Sequence, residues 1–323
     1  MEEVINYSII IPHYDIPDLL IRCLHSIPVR PDVQVIVVDD CSPGADKYLW
    51  KYPELSRPYL EFYTTHEDGS AGRARNVGLN HAKGRWLVFA DADDFFVDNL
   101  ESDFLDKYVG EDKDIVYFNV RRVFSGNVSI PSNRSMYIDK LFEQYKLDGN
   151  EEKFRISYFS PWGKFFKRQL IVENDIRFDE THYANDMYFT VSAGCKAESV
   201  LIVNSPLYIV TERDGSLVSN YGLKDGELAI RANVAFRTQH LLQKYGYDLK
   251  PILIDGSLLC MIENSEYGLL FKSFHNLSNY NISKIETLKR LFRVRRKNVF
   301  WYITMFVVDK FLKDENSTCR SCI

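Results

Sequence analysis

The chain has no basic excess: 40 Lys+Arg stand against 45 Asp+Glu, for a net charge of −5. That balance excludes attraction to nucleic acid through bulk charge, and no nucleic-acid partner is expected. It also has no long hydrophobic run, since the most nearly unbroken apolar stretch, 299–308, is too short to cross a bilayer. Its 6 cysteines are scattered, without a disulfide framework, and its 7 histidines show no metal-ligand spacing. The opening Met1-Glu2-Glu3 is acidic and unlike a secretory signal, so the expectation is a cytoplasmic, reducing location with cysteines as core filler. No Gly-x-Gly-x-x-Gly follows the first apolar run, where Pro12 stands instead, and this sets aside a dinucleotide-binding Rossmann enzyme.

What is present is an ordinary globular balance over 323 residues, with 46% hydrophobic and 14% aromatic side chains. Apolar runs at 7–11, 33–38, 60–64 and 86–90 read as strands. Helical spacing over 16–27 and 71–82 separates them, the second helix capped by Ser70, and a further short helix is expected from about 45 to 51. Strand and helix alternating at this rhythm predict an α/β, doubly wound, mainly parallel sheet. From about 110 to 217 the pattern is mixed, and beyond 220 it is mostly helical. The expected organisation is therefore one α/β domain over 1–220 and a mainly helical region over 221–323.

In such a sheet, ligands bind beyond the carboxyl ends of the strands. Three polar clusters follow three apolar strands: Pro12-His13-Tyr14-Asp15, Asp39-Asp40 and Asp91-Ala92-Asp93-Asp94. A fourth group, with Arg73, Arg75 and Asn76, arrives on the helix that Ser70 opens. Clustered carboxylates beside an arginine and a helix N-terminus suggest a divalent cation bridging carboxylate and phosphate oxygens. A chain this acidic contains roughly one or two Asp-x-Asp triplets by chance, and Asp112-Lys113-Asp114 reads as a solvated turn. Asp91 and Asp93 differ in standing at the mouth of a buried strand, where bare carboxylates repel unless neutralised.

In order and spacing, Ser8-Ile9-Ile10-Ile11-Pro12, Val37-Val38-Asp39-Asp40-Cys41-Ser42, Ala74-Arg75-Asn76-Val77-Gly78 and Asp91-Ala92-Asp93-Asp94 resemble the family-2 glycosyltransferases. The resemblance implies a GT-A fold, a nucleotide-sugar donor of the UDP-sugar type, a divalent metal (Mn2+ or Mg2+) and inversion at the anomeric carbon. It matches Asp39 to the carboxylate that binds the nucleotide base, Asp91 to the one near the ribose, Asp93 to the metal ligand and Arg75 to a position beside the donor. Pro12 and Tyr14 are candidates for the floor under the base. The family's Glu-Asp-x-x-Phe-like segment corresponds to Asn185-Asp186-Met187-Tyr188-Phe189, with Asp186 as the catalytic base and Asn185 in place of the usual Glu. Trp162, in a Trp-x-Lys-like segment, is the candidate sugar-stacking residue on the acceptor side. Arg213, in the late loop 211–216, is the candidate diphosphate contact. The implied acceptor is a hydroxyl of a saccharide or lipid-linked saccharide, as in polysaccharide or glycan synthesis. The opposing reading is a non-catalytic nucleotide-sugar-binding or scaffold protein with a degenerate domain. Retention of Asp39, Asp91, Asp93 and Asp186 together stands against it.

Near the carboxyl end, seven basic residues and one acid between 284 and 297 precede the aromatic run Phe300-Trp301-Tyr302. Basic residues beside large aromatics suit an interfacial segment, so peripheral contact with the inner face of a membrane is expected through 284–308. Cys319 and Cys322 have Cys-x-x-Cys spacing but no second pair, and read as tail residues.

Overall fold

The computed structural model describes residues 4–45, 51–65, 69–213, 226–247 and 252–294. The expected helix at 45–51 lies almost wholly outside these residues, as do 295–308 and both tail cysteines. The strands are β1 (Tyr7–His13), β2 (Val33–Asp39), β3 (Leu60–Thr64), β4 (Trp86–Phe89), β5 (Phe95–Phe96), β6 (Ile115–Phe124), β7 (Asn127–Pro131), β8 (Lys164–Lys167) and β9 (Val200–Glu212). They form one sheet in the order β3-β2-β1-β4-β8-β6-β9-β5, with β7 paired to β6.

Strands β3, β2, β1 and β4 are mutually parallel. β8 runs against both β4 and β6, and β6 is parallel to β9. So β1, β2, β3, β4, β6 and β9 all point one way, and their carboxyl ends share one edge. β1 and β2 are buried at every position, as strands covered on both faces must be, and their near-continuous Val/Ile content follows from that.

β1 does not stop at Pro12 but runs through it to His13. The Ile10 carbonyl accepts from Ala90 on the β4 side, and the His13 carbonyl accepts from Asp40 on the β2 side. Backbone direction alternates, so Pro12 presents its missing donor to the β4 side just where β4 has ended. β9 is longer than the expected 200–203 and passes through Pro206, beside which its register with β6 is irregular.

The main apolar core draws on residues from Tyr7 to Val210. A second cluster joins Leu228, Phe236, Leu258, Phe274 and Leu291 from the later helices. Ile156, Val191, Cys195 and Leu242 form a small cluster that packs the helix Met187–Lys196 against the helix Glu227–Lys244. No helix among the described residues is long and apolar enough to cross a membrane.

Candidate active site

At the carboxyl ends of β1 and β2 the carboxylate of Asp39 faces inward. Its Oδ1 accepts the Ser42 N–H at 2.8 Å, while Oδ2 accepts the Ser42 hydroxyl at 2.7 Å and lies 2.7 Å from His13 Nδ1. Burial alone would raise its pKa, but the hydrogen bonds from His13 and Ser42 outweigh it and hold the carboxyl below the usual range. Both side chains of the His13–Asp39 pair are fully buried. In this arrangement His13 and Ser42 hold the Asp39 carboxylate inward, where it fixes the loop after β2. Pro12 is buried beneath it, whereas Tyr14 is 55% exposed at the same lip.

The turn Asp91–Asp94 leaves β4, passes the ends of β8 and β6, and joins β9 through β5, where Phe95 pairs with Ile209. Asp91, Asp93 and Asp94 each bring a carboxylate oxygen within 4.8 Å of the others. Their backbone is held from three directions. The Asp91 N–H donates to the Tyr208 hydroxyl at 2.7 Å, Arg22 Nη2 donates to the Asp93 carbonyl, and the Thr211 hydroxyl donates to that carbonyl at 2.8 Å.

Asp94 has no exposed surface, and its Oδ1 accepts the Thr211 N–H at 2.7 Å. Its Oδ2 is buried without a hydrogen-bond partner. Burial, with the charges of Asp93 and Asp91 behind it, drives the Asp94 carboxyl well above the usual carboxylate range. Three converging carboxylates, one of which also carries an orphaned oxygen, fit a hard divalent cation, which favours carboxylate oxygens and would offset their repulsion. The expected ligand Asp93 is 13% exposed, and its Oδ2 accepts from Arg213 Nε at 2.9 Å. Arg213 therefore reaches the acidic turn; residues 214–216 of its loop lie outside the described residues.

The segment Ala74-Arg75-Asn76-Val77-Gly78 lies on the helix Ala71–His81, which Ser70 caps by accepting the Arg73 N–H. Arg75 is nearly buried and makes two contacts, Nη2 to Asp91 Oδ1 at 2.6 Å and Nη1 to Asn185 Oδ1 at 2.9 Å. It is thus placed against Asp91 from within the protein. Asp186, next to Asn185, is the N-cap residue of the helix Met187–Lys196, yet its side chain makes no capping hydrogen bond. Burial raises the Asp186 carboxyl above its usual value, and the charges of Arg75 and Lys164 oppose that rise.

Trp162 is packed into the aromatic core. Its ring stacks on Tyr208 at 5.7 Å, meets Tyr158 edge-on and is only 4% exposed, so it offers no open face to a sugar. Through Tyr208 it backs the Asp91 turn instead.

Several site groups escaped the sequence reading. Arg22, Tyr208 and Thr211 brace the acidic turn from elements far apart in the chain. Lys164, at the start of β8, is buried under the ring of Tyr158 at 3.7 Å and donates to the carbonyls of Tyr158 and Ser160. Burial drives its ammonium pKa well below the usual lysine value, with Asp186 opposing. The sequence signal for Lys164 was its place as the lysine of the Trp-x-Lys-like segment, which says nothing of its burial.

The solved structure of S. aureus TarS residues 1–349 with UDP-GlcNAc superimposes with a TM-score of 0.60 at 20% identity, covering 85% of this chain and 81% of that one. That likeness establishes the GT-A-like fold. Among curated proteins, the glycosyltransferase GlyA of Streptococcus pneumoniae is 25% identical over 285 residues, covering 80% of this chain but 39% of its own length. The putative glycosyltransferase EpsH of Bacillus subtilis is 25% identical over 294 residues, covering 85% of this chain and 82% of its own. The profile of "Glycosyl transferase family 2" matches residues 8–173. That match takes in more than half of the chain, from β1 past β8, and the chain therefore belongs to glycosyl transferase family 2.

Proposed function

We propose that the protein is a metal-dependent inverting glycosyltransferase. It moves a sugar from a UDP-sugar to a hydroxyl of a saccharide or lipid-linked saccharide during polysaccharide or glycan synthesis. One observation carries the reading: an acidic turn with an orphaned buried oxygen is joined through Arg75 and Asn185 to the turn of a half-buried carboxylate, Asp186, whose side chain makes no capping hydrogen bond. The likeness to TarS, whose solved complex holds UDP-GlcNAc, supports a uridine nucleotide.

In this reading the nucleoside rests against Tyr14 and the loop that Asp39 fixes, with Pro12 beneath and Asp91 toward the ribose. Asp93, with Asp91 and Asp94 beside it, would hold Mn2+ or Mg2+, which offsets charge on the diphosphate when bound. Arg213 turns to the same diphosphate. The acceptor oxygen attacks the anomeric carbon from the face opposite the diphosphate, and the bond from that carbon to the phosphate oxygen breaks with its electron pair leaving on the nucleotide. Asp186 takes the proton of the acceptor hydroxyl. The raised pKa of Asp186 suits a base, because a stronger base takes a hydroxyl proton more readily. The catalytic unit is proposed to span 1–220.

The test is Asp186→Asn in the full chain. Binding of UDP-GlcNAc should persist while sugar transfer falls by about 10²–10⁴-fold. An unchanged turnover number would remove Asp186 from the chemistry.

The proposal extends to membrane contact through 284–308. Ile285, on the helix Lys284–Val294, is 46% exposed, while Leu291 joins the second core. Replacing Arg293, Arg295 and Arg296 with Glu should release the protein from anionic vesicles; unaltered co-sedimentation would exclude this contact.

A further inference from the structure

The helix Ala71–His81 is the joint between the early strands and the segment that carries Asp186. Asn76 grips the backbone of Phe178 in both directions: its Nδ2 donates to the carbonyl at 3.0 Å and its Oδ1 accepts the N–H at 2.9 Å. Gly72 approaches so closely that a Cβ there would stand 1.9 Å from the Asp179 carbonyl oxygen and 3.0 Å from Asn185 Cβ. Between them the Arg75 guanidinium lies 5.3 Å from the Phe178 ring centroid and joins Asp91 to Asn185. Its side chain is 6% exposed, so little of it is open to a ligand. A guanidinium is a rigid planar fork, and two partners on its separate ends are held at a set distance.

We infer that Arg75 is a positioning residue rather than a donor contact: it fixes the Asp91 turn against the Asn185–Asp186 turn and presents its charge to Asp186. The inference rests on the proposed reading of Asp186 as the base. The charged and titratable groups around Asp186 are Arg75 from the joint helix, Lys164 from β8, Asp91 from the turn after β4 and the Tyr137 phenol. Arg75 and Lys164 favour the carboxylate and Asp91 disfavours it, with Arg75 the stronger of the two cations. Lys164 is held by main-chain carbonyls of the 158–160 segment. Arg75 is therefore the cation tied to the turn that bears Asp186.

The experiment titrates Asp186 in the full-length, metal-free protein by NMR of carboxyl-labelled aspartate, assigned through Asp186→Asn. Arg75→Gln should raise the Asp186 midpoint by about one unit or more, because a nearby opposite charge is removed. Arg75→Lys keeps the charge and should leave the midpoint close to wild type. Asn185→Ala cuts one arm of the fork without touching the charge. It should lower UDP release from UDP-GlcNAc with Mn2+ by about tenfold or more through misplacement, while calorimetric affinity for UDP stays within about twofold. An unmoved midpoint in Arg75→Gln overturns the inference, as does a loss of UDP affinity in Asn185→Ala as steep as the loss of turnover. If Arg75→Gln does not fold, Asn185→Ala decides on its own. Full turnover in Asp186→Asn would instead refute the base assignment, while the midpoint shift would still report the contact.

Discussion

The chain holds two Asp-x-Asp triplets of opposite fates. Asp112-Lys113-Asp114 precedes β6 at the edge away from the site; Asp112 is 85% exposed and pairs with Lys167, while Asp114 accepts the N–H groups of Glu198 and Ser199. Every charge there is met by solvent, a lysine or a backbone donor. Asp91-Ala92-Asp93 follows β4 at the ligand edge, and Asp94 behind it is fully buried with one oxygen unpartnered. The difference teaches that a carboxylate cluster becomes a candidate site through what is withheld from it: water and a complete set of donors. Arg75 and Arg213 meet Asp91 and Asp93, but one buried Asp94 oxygen has no donor, and the electrostatic cost that remains is one a cation can relieve.

The contrast breaks most visibly at Asp93. Asp93→Ala should abolish metal-dependent binding of UDP-GlcNAc and reduce transfer by roughly 10²-fold or more, as expected when a preorganised charge partner is lost. Near-normal activity in the presence of Mn2+ would end the metal assignment.

A smaller effect should appear at Asp94. Its folded pKa lies above the unfolded value, so the stability it contributes is present at acid pH and is lost as pH rises from about 4 toward the folded pKa. Without metal, Asp94→Asn should therefore gain stability relative to wild type as pH rises through that window, by about 1.4 kcal/mol per pH unit. Melting curves from pH 4 to 8 in chelator check this, and parallel curves would show that Asp94 is not strained. Least affected should be Asp112→Ala, with stability within about 0.5 kcal/mol of wild type and full activity. A large loss of activity there would erase the distinction between the triplets.

Much of the site's placement is legible in the sequence. An apolar strand running straight into Asp91 fixes that carboxylate at a strand end, and the strand–helix rhythm places Asp39 and His13 on the same edge. Ser70 capping the helix Ala71–His81 follows the same local logic. Less legible are properties that depend on which elements meet. The contacts of Arg75 with Asp91 and Asn185 appear only when the 178–186 segment packs on its helix. The stacking of Trp162 on Tyr208 depends on β9 returning beside β6. The hydrogen bonds of Asp39 with His13 and Ser42 are likewise visible only once β1 and β2 lie side by side.

Local chemistry, then, belongs to the sequence: which stretches are strands, where the helices are capped, and which strand ends carry acids, because periodicity and capping act over a few residues. The tertiary structure alone decided exposure and partnership. β9 returns parallel to β6 and brings Thr211 and Arg213 to the acidic turn more than a hundred residues from their partners. The physical reason is that desolvation and long-range pairing depend on the whole packed sheet, and no window of sequence contains it.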